Sequence, residues 1–180
     1  MVYLPELEHQ KNKGTQMSPY LLKLFSMIQK EKITNLILEY LNKESLFLVD
    51  TKVSRDNDII ITIESLDKVT IKNCADLSRI VEKGLDREEE DFSLTVTSAG
   101  LDMPFKVLKQ YQKFIGEEVE ILPKSGSKFT ATLKSANKDQ IEVSRFIMEK
   151  REGKKRAEKT EVTETYNLSD IKSTRPFIKF

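Results

Sequence analysis

Five positive charges fall within seven residues at Lys150, Arg151, Lys154, Lys155 and Arg156, and they are the clearest chemical signal in the chain. Such a cluster makes a dense positive field suited to phosphate oxygens, and contacts of that kind bring affinity without reading a base sequence. Phe146 lies near enough in sequence to rest against a base or a ribose. Glu149 and Glu152 interrupt the cluster, and the same composition would serve a solvated hairpin tip. Other chemistries find less support. The one histidine, His9, sits in a polar stretch near the N-terminus, so a Ser-His-Asp or Cys-His site in the rest of the chain has no base. Ser98 stands in Thr97-Ser98-Ala99-Gly100, which does not match the G-x-S-x-G nucleophile elbow. Glu88, Glu89, Glu90 and Asp91 form a contiguous run that reads as a solvated loop. No Walker A pattern, G-x-G-x-x-G pattern or Cys/His cluster is present, so neither a catalytic site, a cofactor nor a metal is expected.

The 180 residues suit one large domain or two small ones, and a single cysteine, Cys74, excludes an internal disulfide. The chain has 30 Lys and Arg against 29 Asp and Glu, but this balance conceals a division. Residues 27 to 98 hold 10 basic and 15 acidic groups, a net of −5, whereas residues 99 to 180 hold 17 basic and 12 acidic groups, a net of +5. Surfaces of opposite sign select different partners. No apolar run approaches the roughly 18 residues of a membrane span. The short stretch from Tyr20 to Ile28 is interrupted by Lys23, and a cytoplasmic protein is expected.

These residues need elements to position them. The first 26 residues read as an extension, either disordered or the product of an upstream start, since Met27 stands just before a better helix. Ile33, Leu36, Ile37, Tyr40 and Leu41 share one face of a helix over Lys30 to Lys43. Leu46 to Val53 and Ile59 to Glu64 read as a hairpin across the polar turn Ser54 to Asp58. Thr70 is placed to cap a second helix, in which Cys74, Leu77, Ser78, Val81 and Leu85 recur at helical spacing; Cys74 is a small core residue in this reading. Phe92 to Ser98 alternates as a third strand. An α+β unit over 27–98, with two helices on a three-stranded sheet, follows.

Gly100 and Pro104 mark a junction over 99–116, in which a short helix carries Phe105, Leu108, Lys109 and Tyr111 and ends at Gly116. The remainder, 117–180, alternates in five short runs: at Val119 and Ile121, at Phe129 to Leu133, at Ile141 and Val143, at Val162 to Tyr166, and at Phe177 to Phe180. An all-β, Sm-like or SH3-like small barrel is expected, with Arg145 to Glu161 as a basic loop or hairpin tip between its third and fourth strands.

Leu46-Phe47-Leu48-Val49-Asp50, the stretch Val69-Thr70-Ile71-Lys72-Asn73-Cys74-Ala75-Asp76-Leu77-Ser78-Arg79, Leu85-Asp86, and the run from Leu94 to Gly100-Leu101-Asp102-Met103-Pro104 together resemble the bacterial ribosome maturation factor RimP family. The likeness runs over residues 28 to 180. It departs at Ala99, where the family commonly has Pro, and at Met103, where it commonly has Arg. The resemblance implies an α/β domain, a junction at Ser98, Gly100, Leu101, Asp102 and Pro104, and an Sm-like barrel. It further implies a monomeric, non-enzymatic assembly factor for the small (30S) ribosomal subunit, whose partners are the immature subunit, its rRNA and the basic small-subunit ribosomal protein twelve. Within that picture Lys150, Arg151, Lys154, Lys155 and Arg156 are the candidate rRNA contacts, and Asp102 is a candidate cap for the helix that follows it. A general Sm-like RNA-binding module or RNA chaperone is the alternative reading.

Overall fold

The computed structural model describes residues 28–88, 90–149 and 158–179. Its first half begins with α1 (Lys30–Lys43), whose apolar stripe buries Ile33, Ile37 and Leu41. Strands β1 (Leu46–Val53) and β2 (Asp58–Ser65) pair antiparallel, and β3 (Ser93–Ser98) joins the other edge of β2 in parallel, giving the order β1-β2-β3. A parallel neighbour requires a crossover, which α2 (Ile71–Gly84) supplies. The α2 start is the one that Thr70 announces. Its hydroxyl accepts from the Asn73 N–H at 3.2 Å, and Asn73 Oδ1 accepts from the Thr70 N–H at 2.9 Å, so two otherwise unpaired donors are satisfied reciprocally.

Period-two alternation sends Ile59, Ile61 and Ile63 of β2 to the helix-covered face, where each is fully buried with Leu77 and Val81 of α2. Cys74 packs against this core, and burial raises its thiol pKa, as expected of a structural cysteine. The β1–β2 turn needs a left-handed residue, which Asn57 provides at φ 58°. The Asn57 side chain donates to Glu90 Oε1 at 2.9 Å and to the Asp91 carbonyl at 3.2 Å, tying the turn to the loop before β3. Part of the acidic run thus holds a loop together.

The second half starts with α3 (Leu108–Lys113) and continues through β4 (Glu118–Pro123), β5 (Phe129–Ala136), β6 (Gln140–Glu149), β7 (Glu158–Asn167), a 3₁₀ turn at Leu168–Asp170 and β8 (Ile171–Pro176). The strands form one antiparallel sheet in the order β7-β6-β5-β4-β8 around a second core of Val119, Ile121, Leu133, Ile141 and Val143. Bulges at Leu122/Pro123 and Leu133/Ser135 shift the register, a device that bends strands.

Two expectations change here, and one open alternative narrows. The pairings do not close into a barrel, because β7 and β8 end the hydrogen-bonded order among the described residues. The last described strand is Ile171–Pro176, ahead of the expected run from Phe177: Ile171 and Thr174 are the residues buried against β4, Phe177 and Ile178 are exposed, and Phe180 lies outside the described residues. For Arg145 to Glu161 the described residues follow the hairpin alternative, with β6 reaching Glu149 and β7 beginning at Glu158, while residues 150–157 lie outside the described residues. Backbone pairing in a two-stranded ribbon needs no buried face, so apolar periodicity underestimates its length.

Register places Ile61 in the core and its neighbour Ile60 on the opposite face at 40% exposure. Ile61→Ala is expected to cost about 2–5 kcal/mol in urea unfolding, whereas Ile60→Ala stays within about 0.5 kcal/mol. Equal losses at the two sites would mean a slipped register.

Candidate nucleic-acid interface and the junction helix

The β6–β7 hairpin outruns its sheet. Strand β5 pairs with β6 no farther out than Thr132 opposite Ser144, but the β6–β7 pairing continues from Arg145 opposite Val162 to Glu149 opposite Glu158. Five residue pairs therefore form a free ribbon. On one of its faces Phe146 and Met148 are 60% and 68% exposed, and the Lys159 ammonium lies 4.2 Å from the Phe146 ring centroid. Large apolar side chains flanked by a cation, on a projecting ribbon, can stack on bases or pack against ribose while the ammonium meets phosphate. Lys150, Arg151, Lys154, Lys155 and Arg156 lie outside the described residues, in the sequence between β6 and β7.

The ribbon's root is held firmly. Arg145 Nη2 donates to Glu164 Oε1 at 3.0 Å, its Nε lies 2.9 Å from Oε2 as a charge contact without hydrogen-bond alignment, and its guanidinium lies 4.4 Å from the Phe129 centroid. Tyr166 donates to Glu164 Oε2 at 2.8 Å, and its ring stands 5.5 Å from Phe129. The Arg145 hydrogen bond, seconded by that of Tyr166, holds the Glu164 carboxyl below the ordinary 4.5, and the Arg145 guanidinium is shifted up in return. Glu120 forms a matching clamp at the other edge of the sheet. It takes Lys128 Nζ at 2.8 Å and Arg175 Nε at 2.6 Å, and these bonds, Lys128 first, lower its pKa. Glu120 and Arg175 are directly opposite across β4 and β8, so the clamp fixes the edge strand.

The junction residues are placed differently from one another. Ser98 ends β3 opposite Ile63, and its neighbour Ala99 continues the pairing through an N–H donated to the Ile63 carbonyl at 3.0 Å. Gly100, Leu101, Asp102 and Pro104 are exposed on a turn in which the Met103 N–H reaches the Gly100 carbonyl at 3.1 Å. Gly100 does not use the left-handed backbone region; a side chain there would instead crowd Asp102 Oδ1 at 2.8 Å. Asp102 does not cap α3, whose N-cap is Val107; Gln110 Oε1 reaches back to accept from the Lys106 N–H at 2.8 Å. Gly116 follows the helix in the left-handed region at φ 91° and donates to the Leu133 carbonyl at 2.7 Å.

Sequence reading missed the residues that join the two halves. Lys106 pairs with Asp50, Lys113 Nζ lies 3.0 Å from Glu64 Oε1 and 3.3 Å from the Asp67 carbonyl, and Lys109 stands 5.5 Å over the Phe47 ring. Lys109 and Lys113, four apart, were readable as one helical face, while Lys106 stands just before the N-cap Val107. Their partners in β1 and β2 were not readable. Among the described residues no group of three His, Cys, Asp or Glu is arranged to hold a metal ion, and no helix is long and apolar enough to cross a membrane.

Residues 36–102 match the model of the RimP N-terminal domain. The chain is 34% identical over 146 residues to the ribosome maturation factor RimP of Porphyromonas gingivalis, covering 81% of this chain and 96% of that one. It is similarly 40% identical over 114 residues to the ribosome maturation factor RimP of Christiangramia forsetii, covering 63% and 72% of the two chains, and 41% identical over 96 residues to that of Flavobacterium psychrophilum, covering 53% and 62%. The chain belongs to the ribosome maturation factor RimP family.

The clamps give an acid dependence whose sign is fixed. Glu120 and Glu164 have folded pKa values below the ordinary 4.5, so at intermediate pH the unfolded chain binds more protons than the folded one. Their contribution is full above pH 4.5 and is lost as pH falls through the folded values. Urea midpoints measured from about pH 6 down to about pH 3 should decline, and Glu120→Gln should be less stable at neutral pH with a shallower decline. An unchanged slope in the variant would remove Glu120 as a source of acid sensitivity.

Proposed function

We propose that this chain is an assembly factor for the small ribosomal subunit, with the β6–β7 ribbon on rRNA and the acidic α/β unit on a basic ribosomal protein. Family membership supports the general role in ribosome maturation, and the near-full-length match to the P. gingivalis relative is the observation that carries the reading. The two-domain division at residues 98 and 117 and an Sm-like character of the second domain belong to the same proposal. The strand order β7-β6-β5-β4-β8, with a 3₁₀ turn before the last strand, is the feature of the second domain that supports it.

In this reading Lys150, Arg151, Lys154, Lys155 and Arg156 neutralise rRNA phosphates, and Phe146 adds stacking that tolerates any base. The −5 region of residues 27 to 98 suits a basic partner, for which small-subunit ribosomal protein twelve is the candidate. Ser98, Gly100, Leu101, Asp102 and Pro104 are the turn across which the two surfaces are connected. The protein acts as a cytoplasmic monomer, and no catalytic step is assigned to it.

Co-sedimentation with free small subunits and with joined ribosomes, across a salt series, tests the reading. Binding is expected to the free subunit and not to the joined ribosome. Replacing the five tip residues by Glu should weaken it most at low salt and flatten the salt dependence by about 0.7 to 0.9 in log–log slope for each phosphate no longer neutralised. Phe146→Ala should weaken binding by about 1–3 kcal/mol while leaving urea stability within about 0.5 kcal/mol, because the ring is exposed. Equal binding to any RNA would favour the general RNA-binding module instead.

A further inference from the structure

Helix α3 and the residues flanking it, Phe105 to Phe114, carry two different faces. Phe105, Leu108, Tyr111 and Phe114 recur at intervals of three and join the core of the five-stranded sheet, with Phe105 and Tyr111 edge to face at 5.0 Å and Phe105 stacked on Phe114 at 5.1 Å. The Phe105 N–H also donates to the Thr174 carbonyl of β8 at 2.8 Å. This side is apolar and belongs to the second half. The other side presents Lys106, Lys109 and Lys113 to the first half.

The three lysines meet one surface. Phe47 and Glu64 are directly opposite across β1 and β2, and Asp50 is opposite Thr62; all lie on the sheet face that α1 and α2 leave uncovered. Lys106 pairs with Asp50, whose pKa this hydrogen bond lowers, and Lys113 pairs with Glu64. The Lys113 and Glu64 side chains are only 20% and 12% exposed, so their attraction is less weakened by solvent than that of an ordinary surface pair. Among the described residues these are the ion pairs that join the two halves. Beside them a groove of about 290 Å³ separates Leu38 and Leu46 from Val107 and Leu108, so the apolar part of the contact is incompletely filled.

We infer that Lys106, Lys109 and Lys113 are positioning residues, an ionic latch that holds the α/β unit against the junction helix at one angle. The latch thereby sets how the acidic unit and the ribbon are presented to their partners. The presentation to partners rests on the proposed function; the latch itself does not. Without the latch two separately packed cores are joined by the exposed turn from Gly100 to Pro104 and by the small apolar contact around the buried Phe47, and the halves reorient about the turn. Binding two sites on one particle then loses the advantage of a fixed geometry.

The test uses the full chain in three forms: unmodified, K106E/K113E, and the swapped form D50K/E64K/K106E/K113E. Residual dipolar couplings report whether the two halves share one alignment tensor, and co-sedimentation reports affinity for free small subunits. The unmodified and swapped forms are expected to share one tensor, while K106E/K113E gives two diverging tensors and binds about tenfold or more weakly. K106Q/K113Q, which removes attraction without adding repulsion, should show the same change in smaller degree and serves if the reversed form does not fold. A shared tensor in the folded reversed or neutralised form overturns the latch. Diverging tensors with unchanged subunit affinity overturn the positioning role. Should the unmodified chain fail to bind free subunits, the proposed function falls, and the tensors alone still decide the latch.

Discussion

The arrangement of the molecule depends on the six-residue helix α3, which is attached to its two neighbours by different forces. Its apolar side is part of a continuous core with β4, β5, β6 and β8, and burial of that kind is short-ranged, tolerant of salt and demanding of shape. Its basic side meets Asp50 and Glu64 through charge, which is longer-ranged, weaker for exposed groups and sensitive to ionic strength. The helix therefore moves with the five-stranded sheet. Whatever motion the molecule has between its halves falls on the charged side and not on the apolar one.

The β6–β7 ribbon poses the opposite problem. A two-stranded ribbon beyond the support of a third strand is marginal by itself. Here its root is fixed by the network of Arg145, Glu164, Phe129 and Tyr166, just where β5 ceases to pair. Stiffness at the root lets an outer segment project without folding back onto the sheet. It also leaves Phe146 and Met148 exposed, which costs solubility and stabilises nothing in the isolated chain. Exposure of this sort is understandable in a surface whose partner is elsewhere.

Much of the first half was legible in the sequence because local and global signals agree there. The stripe Ile33, Ile37 and Leu41, the Thr70–Asn73 cap and the alternation of Ile59, Ile61 and Ile63 each announce an element that the core then uses. The second half was less legible for physical reasons. β8 has only Ile171 as a large core residue, and its place is fixed by pairing with β4, which leaves no periodic trace. The outer ribbon buries no face, so nothing apolar marks its length. Closure of a barrel is a matter of which edges meet, and alternating strands are compatible with either result. At the junction, Gly100 and Asp102 drew attention as residue types. The groups that join the halves are common lysines and carboxylates whose meaning appears only when residues 56 and 49 positions apart come together.

The division of charge between the halves acquires a structural consequence from this. A −5 region and a +5 region in one chain attract each other, and Lys106–Asp50 and Lys113–Glu64 are where that attraction becomes specific contact. The same asymmetry would draw phosphates to one half and a cationic protein to the other, so internal and external partners compete for the same kind of interaction. The competition is uneven. Lys113 and Glu64 are largely withdrawn from solvent, whereas Lys159 on the ribbon and Glu39 on α1 are exposed. Charges already paired and sheltered hold the shape, and charges left in solvent are those free to meet a partner. Salt at moderate strength would then weaken recognition before it loosens the molecule, because screening acts first on the groups that water already surrounds.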